Sequence, residues 1–163
     1  MQTEHSGKVG RMLTWLFGTP EEINGHERCP TYLYRWRVWG GSTRYGHKTG
    51  RAIYIHHFVG EDWSRDMHDH PKRFISIGLA GSYIEETPQG VHRFRAPWIR
   101  TFPATHIHRI RTPLINGKRS CWTLLIVLKV QRDWGFWHEG QWIPWLEYVN
   151  GKDGLADRQK ACV

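Results

Sequence analysis

What most constrains this chain is the spacing of its apolar runs. Short segments rich in aromatic and β-branched residues recur at roughly 8–15-residue intervals, with Gly, Pro and Asn between them. Residues 31–39 (TYLYRWRVW) and 51–59 (RAIYIHHFV) alternate as strands do. Residues 66–80 hold a third candidate, strongest from Phe74 to Leu79. Further candidates lie at 91–96, 98–102, 105–111 (THIHRIR) and 120–130 (SCWTLLIVLKV). Thr87-Pro88-Gln89-Gly90 reads as a turn and Gly40 to Gly50 as a loop. Asn116-Gly117, between two strand-like runs, is a hairpin signature. No long segment repeats apolar residues at helical spacing. Met12 to Phe17 is a short apolar patch, either one turn of helix or a strand covering the core. The pattern predicts an all-β sandwich or barrel with few or no helices.

The 163 residues suit one domain, with a core over about 31–148 and extensions at 1–30 and 149–163. The longest apolar run, Leu124 to Leu128, is a strand's length and far short of the ~20 residues of a membrane span. The opening residues lack the basic-then-apolar leader of a secreted protein, so a cytoplasmic location is expected, with no membrane partner. Cys29, Cys121 and Cys162 are odd in number and widely spaced, which argues against a disulfide framework or a thiolate zinc site. The net charge of +8 favours an anionic partner, either a small molecule or nucleic acid. The basic residues are scattered rather than clustered, so a solvated surface is preferred to a nucleic-acid face. No P-loop, GxGxxG or Ser/His/Asp order is present, so there is no support for kinases, Rossmann enzymes or triad hydrolases.

The chemistry is carried by the histidines. His68 and His70 are two apart, so on a strand they share a face and can converge on one metal ion. His106 and His108 repeat that spacing on the 105–111 candidate. One such pair could be polar residues on the surface or buried histidines with ordinary partners. Two pairs, each beside a proline and an apolar strand, point to a metal site. Asp69 adjoins both histidines of its block and points away. Asp66 is on their face and could ligate, orient an imidazole, or simply be a turn acid. Phe74 and Ser76 would line the pocket, with Gly78. Ile75, Ile77 and Leu79 would face another layer or a second subunit of a homodimer. Tyr54 and His56 share one face of their strand, and His57 takes the other. Arg51, Arg93, Arg95 and Arg100 are candidate clamps for a carboxylate or phosphate, although for any single one of them a surface charge is the preferred reading. The segment from Trp134 to Trp145 could stack a base or sugar, but reads better as a hydrophobic lid or a dimer surface.

These residues resemble the two motifs of the cupins, small double-stranded β-helix (jelly-roll) barrels. His68-Asp69-His70, the position of Phe74, and Gly81 match the spacing of the first motif. Pro103-Ala104-Thr105 and His108 match the second, and the likeness spans about residues 53–128. Phe74 stands where the family has its glutamate ligand, Thr105 replaces a glycine and Thr112 an asparagine. The resemblance therefore implies a three-histidine site of His68, His70 and His108, with His106 an extra ligand or a support behind one. Among cupins the pattern is most similar to thiol dioxygenases of the cysteine dioxygenase type, which implies Fe(II) first, with Zn, Mn or Ni as alternatives. The His-Asp-His-Pro block and the Trp-rich ending are also similar to small cupin-like proteins of bacteriophages, which would place the protein in a host cytoplasm. The implied function is a mononuclear non-haem iron oxygenase or dioxygenase acting on a small anionic molecule. The alternative is a non-catalytic barrel that holds a nucleotide or sugar.

Overall fold

The computed structural model describes residues 7–24, 30–41, 50–62 and 66–150. The chain begins with helix α1 (Lys8–Phe17) and strands β1 (Glu21–Ile23), β2 (Leu33–Gly40) and β3 (Ala52–Phe58). Strands β4 (Met67–His68), β5 (Lys72–Thr87), β6 (Gly90–Arg95) and β7 (Trp98–Phe102) follow. Next come β8 (Arg109–Arg111), β9 (Leu114–Ile115), β10 (Lys118–Arg119) and β11 (Cys121–Val130). Strands β12 (Gly135–His138) and β13 (Gln141–Pro144) and helix α2 (Trp145–Asn150) complete it. Most of the expected loop after Gly41, together with Cys29, Cys162 and the tail beyond 150, lies outside the described residues.

The main sheet runs β1-β2-β3-β11-β5-β6, with β7 and β8 also paired to β5, every pair antiparallel. Strand β5 is the hinge of the barrel. Its first half pairs with β11 and β7, and its second half with β6 and β8. It can turn from one set to the other because Gly81 takes φ +81°, and a Cβ there would sit 2.1 Å from the carbonyl oxygen of Ser120. Asn116 and Gly117, both at positive φ, close the β9–β10 hairpin as their dipeptide predicts.

Strand alternation sorts the side chains. Tyr54, Phe74, Phe102 and Val127 pack together inside, and Leu33, Phe58, Tyr83 and Cys121 form a second interior cluster. On the outside, α1 lays Leu13 on Tyr34 and Trp36, and Thr14 Oγ1 accepts a hydrogen bond from Trp36 Nε1 at 3.3 Å. The short apolar patch of the sequence is thus three turns of helix. Its length was masked because only Gly10 and Leu13 are buried, while Met12, Trp15 and Leu16 stay exposed. Ile75 and Ile77 face away from the barrel interior, as their alternation predicts, with Leu79 and Ile99 exposed on the same side. Among the described residues no helix is long and apolar enough to cross a membrane.

Candidate metal centre

His68 and His108, forty residues apart, are brought together by the backbone. They form an antiparallel bridge, each donating its N–H to the other's carbonyl at 2.9 Å. His70 N–H donates to the carbonyl of Ala104 at 3.0 Å, a second backbone tie between the same two segments. Residues directly opposed in a ladder share a face, and i, i+2 neighbours do too. Local strand geometry therefore points three imidazoles at one place. Their ligand nitrogens lie within 4.8 Å of one another, and His70 Nε2 stands 2.7 Å from His108 Nε2.

Behind them is a residue that the sequence reading did not single out. Glu85, on β5, is buried, and its Oε1 accepts from His108 Nδ1 at 2.7 Å and from His106 Nε2 at 3.0 Å. Its Oε2 accepts from Arg100 at 2.7 Å. Burial alone would raise this carboxyl. The hydrogen bonds from His106, His108 and Arg100 outweigh it and hold Glu85 well below the usual carboxylate range. An ionised Glu85 requires the proton of His108 on Nδ1, so Nε2 keeps its lone pair facing His70. Burial, opposed by the bond to Glu85 and reinforced by His68 and His106, pushes His108 down to about 4. Burial and the neighbouring histidines also hold His70 well below its ordinary value. At neutral pH both are neutral imidazoles, which is the form that ligates a metal. Three imidazoles, with Glu85 behind His108 and Asp62 Oδ2 3.3 Å from Nδ1 of His68, form a donor set that fits a divalent transition metal. Glu85, His106 and His108 form a second group of suitable spacing, with Arg100 beside it.

The remaining candidates fall into several places. His106 contacts Glu85 and packs on Phe102 at 5.0 Å. Phe74, at the family's glutamate position, packs edge-on against His70 at 4.9 Å and stacks on Phe102. Ser76 and Tyr54 are buried on the inner face. Arg100 is sandwiched between Phe94 and Phe102 and also donates to the Tyr83 hydroxyl, so its charge is spent on Glu85. Arg51, Arg93 and Arg95 have exposed side chains. The carboxylate of Asp66 accepts from His138 and from the Tyr148 hydroxyl, both at 2.8 Å. Asp69 is fully buried, and it takes the Gly135 N–H at 2.8 Å, Trp142 Nε1 at 3.1 Å, and Arg132. The two acids that flank the histidines therefore fasten the Trp-rich hairpin. That hairpin pairs β12 with β4, setting Phe136 at 5.6 Å and Trp134 at 6.2 Å from His68.

Comparison with solved structures decides the architecture. A cupin-2 domain protein from Rhodospirillum rubrum superposes with a TM-score of 0.54, covering 88% of each chain at 14% identity. The fold is that of a cupin. A double-stranded β-helix domain protein from Klebsiella pneumoniae matches at TM-score 0.44 and 11% identity, over 73% of this chain and 84% of its own. A cupin-superfamily sugar phosphate isomerase from Silicibacter pomeroyi matches at TM-score 0.44 and 12% identity, over 64% and 65%. No protein-family model matches the chain, and no curated protein matches it in sequence. Within this cupin barrel the histidine cluster lies where β4 meets the 104–108 segment, with Phe74 of β5 closing on it from inside.

Proposed function

We propose that this cupin binds one divalent metal ion through His68, His70 and His108 and uses it as a mononuclear non-haem iron oxygenase acting on a small anionic molecule. The observation that carries the reading is the convergence of those three side chains from two chain segments, with ionised Glu85 behind His108. Fe(II) bound there would supply open coordination positions for a chelating substrate and O₂. The chain's own part is to hold His70 and His108 neutral and all three imidazoles oriented. Glu85 fixes the His108 tautomer, Arg100 keeps Glu85 ionised, and Phe74 and Phe136 exclude water from two sides.

The test is elemental analysis of the untagged protein and of His68→Ala and His108→Ala, followed by O₂ uptake with small thiols and acids. Near-stoichiometric iron lost in both variants, with substrate-dependent O₂ consumption, supports the oxygenase. Bound metal without O₂ uptake supports instead a barrel that holds a ligand or catalyses non-redox chemistry. A wild-type protein that takes up no metal after reconstitution sinks the metalloprotein reading.

A further inference from the structure

The second half of β5 has two sides with different chemistry. Tyr83 and Glu85 point into the barrel, so Ser82, Ile84 and Glu86 belong to its outer face. Residues paired directly across a ladder share a face. The outer row of Ser82 therefore holds Arg95, that of Ile84 holds Arg93 and Arg111, and that of Glu86 holds Val91 and Arg109. Arginines that are scattered in the sequence are gathered by β6, β5 and β8 onto one outer face, about 13 Å along the strands and about 10 Å across them.

Glu86 is the one carboxylate in these rows. It accepts from Arg109 Nε at 2.9 Å and is also bonded by the terminal nitrogens of Arg109 and Arg111. Those two arginines share it and keep 25% and 42% of their side chains exposed. Arg93 and Arg95 are exposed on β6 and pair with no carboxylate among the described residues. Beyond Arg111, Glu61 is matched by Arg119 at 2.8 Å and adds no net charge. Four guanidinium groups against one carboxylate leave the face with three positive charges. Val91, at 65%, is its one exposed apolar side chain, and it carries no aromatic ring.

We propose that this outer face of β6, β5 and β8 docks on the phosphate backbone of double-stranded DNA, without regard to base sequence. An open face holds a single small anion weakly, because each exposed ion pair contributes little. A polyanion gains instead by releasing a counterion at every contact. All the charge is guanidinium, which matches phosphate oxygens in pairs. A protein partner or a lipid surface would call for apolar anchors beside the charge, and a single strand for rings on which bases stack; the face has neither. The exposed side chains of these rows also offer no hydroxyl or amide for the ribose hydroxyls by which duplex RNA is recognised. A duplex presents one charge per ~1.7 Å, so about eight phosphates span the face and about half of them lie on its near side. Three positive charges suit that number. The docking is independent of the metal centre on the other side of β5.

The experiment is fluorescence anisotropy of a short labelled DNA duplex of mixed sequence, titrated with the full chain over a salt series. Wild type, Arg93→Gln, Arg95→Gln, the double variant and Arg73→Gln are compared, and the melting temperature of each controls for folding. Arg73 is exposed at the other end of β5, so its variant removes the same charge from outside the face. With three phosphates neutralised, the logarithm of the wild-type affinity should fall against that of salt with a slope of about −2.7, a loss of roughly 40-fold from about 50 to 200 mM. Arg93→Gln and Arg95→Gln should each reduce that slope by about 1 and bind roughly 10-fold more weakly at about 50 mM salt. Arg73→Gln should stay within about twofold of wild type. Duplex RNA and single-stranded DNA of the same length should bind more weakly than the duplex. A wild type that binds no duplex at low salt, a double variant with an unchanged slope, or an Arg73→Gln protein weakened as much as Arg93→Gln would each overturn the proposal. So would tighter binding to RNA, to single strands or to phosphatidylserine vesicles.

Discussion

Replacing Glu85 with glutamine tests the centre most directly. The substitution keeps shape and volume but exchanges a carboxylate that accepts three hydrogen bonds for an amide with one oxygen acceptor and an NH2 group that only donates. Arg100, with 23% of its side chain exposed, loses its ion-pair partner, and either Arg100 at the Oε2 position or both His106 and His108 at the Oε1 position then face an N–H instead of an oxygen. Breaking a buried, hydrogen-bonded pair from one side costs about 3–5 kcal/mol. We take the lower end, about 3 kcal/mol, because Arg100 reaches solvent and keeps its contacts with Phe94 and Phe102. At ~2–4 °C per kcal/mol for a domain of this size, melting should fall by about 6–12 °C. Removing the carboxylate behind a ligating imidazole also weakens metal binding by about 10–100-fold. Calorimetric melting and a chelator competition read the two effects separately. The double variant Glu85→Gln/Arg100→Gln should recover part of the stability, because no charge is then left unpaired, but none of the metal affinity. A Glu85→Gln protein that melts within 2 °C of wild type and binds metal within twofold would refute the assignment of Glu85 as the support of His108.

Acid should destabilise the metal-free protein earlier than carboxylate titration alone would. His56, His70 and His108 all have folded values below their ordinary ones, so between pH 6.5 and those values the unfolded chain binds more protons. Stability is therefore fully present above about pH 6.5 and declines as pH falls toward about 4, by about 1.4 kcal/mol per pH unit for each histidine in its window. Urea denaturation at pH 7, 6 and 5 checks this, and a flat profile would contradict it. Gly78→Ala should cost about 1–3 kcal/mol, because its Cβ would lie 2.2 Å from Cδ2 of Trp98 and push the indole off the strand; a melting curve is sufficient. Asp69→Asn should release Arg132 and Trp142 and loosen the hairpin beside His68, seen as lost near-ultraviolet circular dichroism and a several-fold weaker metal affinity. Unchanged aromatic dichroism in Asp69→Asn would mean that the hairpin is held by its stacking alone.

Much of the barrel was legible because strand alternation is local. The runs at 31–39, 51–59, 74–79, 98–102 and 120–130 became β2, β3, part of β5, β7 and β11, and the inward placement of Tyr54, Phe74 and Ser76 follows from period-two geometry. The alternating 105–111 run is strand only over Arg109–Arg111. His106 and His108 sit in a short connection held by the bridge to His68. The sequence left Met12 to Phe17 open between a helix turn and a strand because the buried stripe of α1 is narrow and its apolar outer side blurs the pattern. Glu85 and Glu86 look like surface acids, yet continuing the alternation of β5 past the bend at Gly81 would have placed Glu85 inward with Tyr83.

The sequence by itself determined the all-β architecture and the two pairs of histidines, because both depend on spacing along a single strand. Tertiary structure alone decided that His68 faces His108, that Glu85 rather than Asp66 stands behind His108, and that Arg100 rather than Arg51, Arg93 or Arg95 carries a charge to the buried Glu85. Those outcomes depend on the register between strands that are far apart in sequence. A shift of one residue in that register would turn each of these side chains to the opposite face of the sheet.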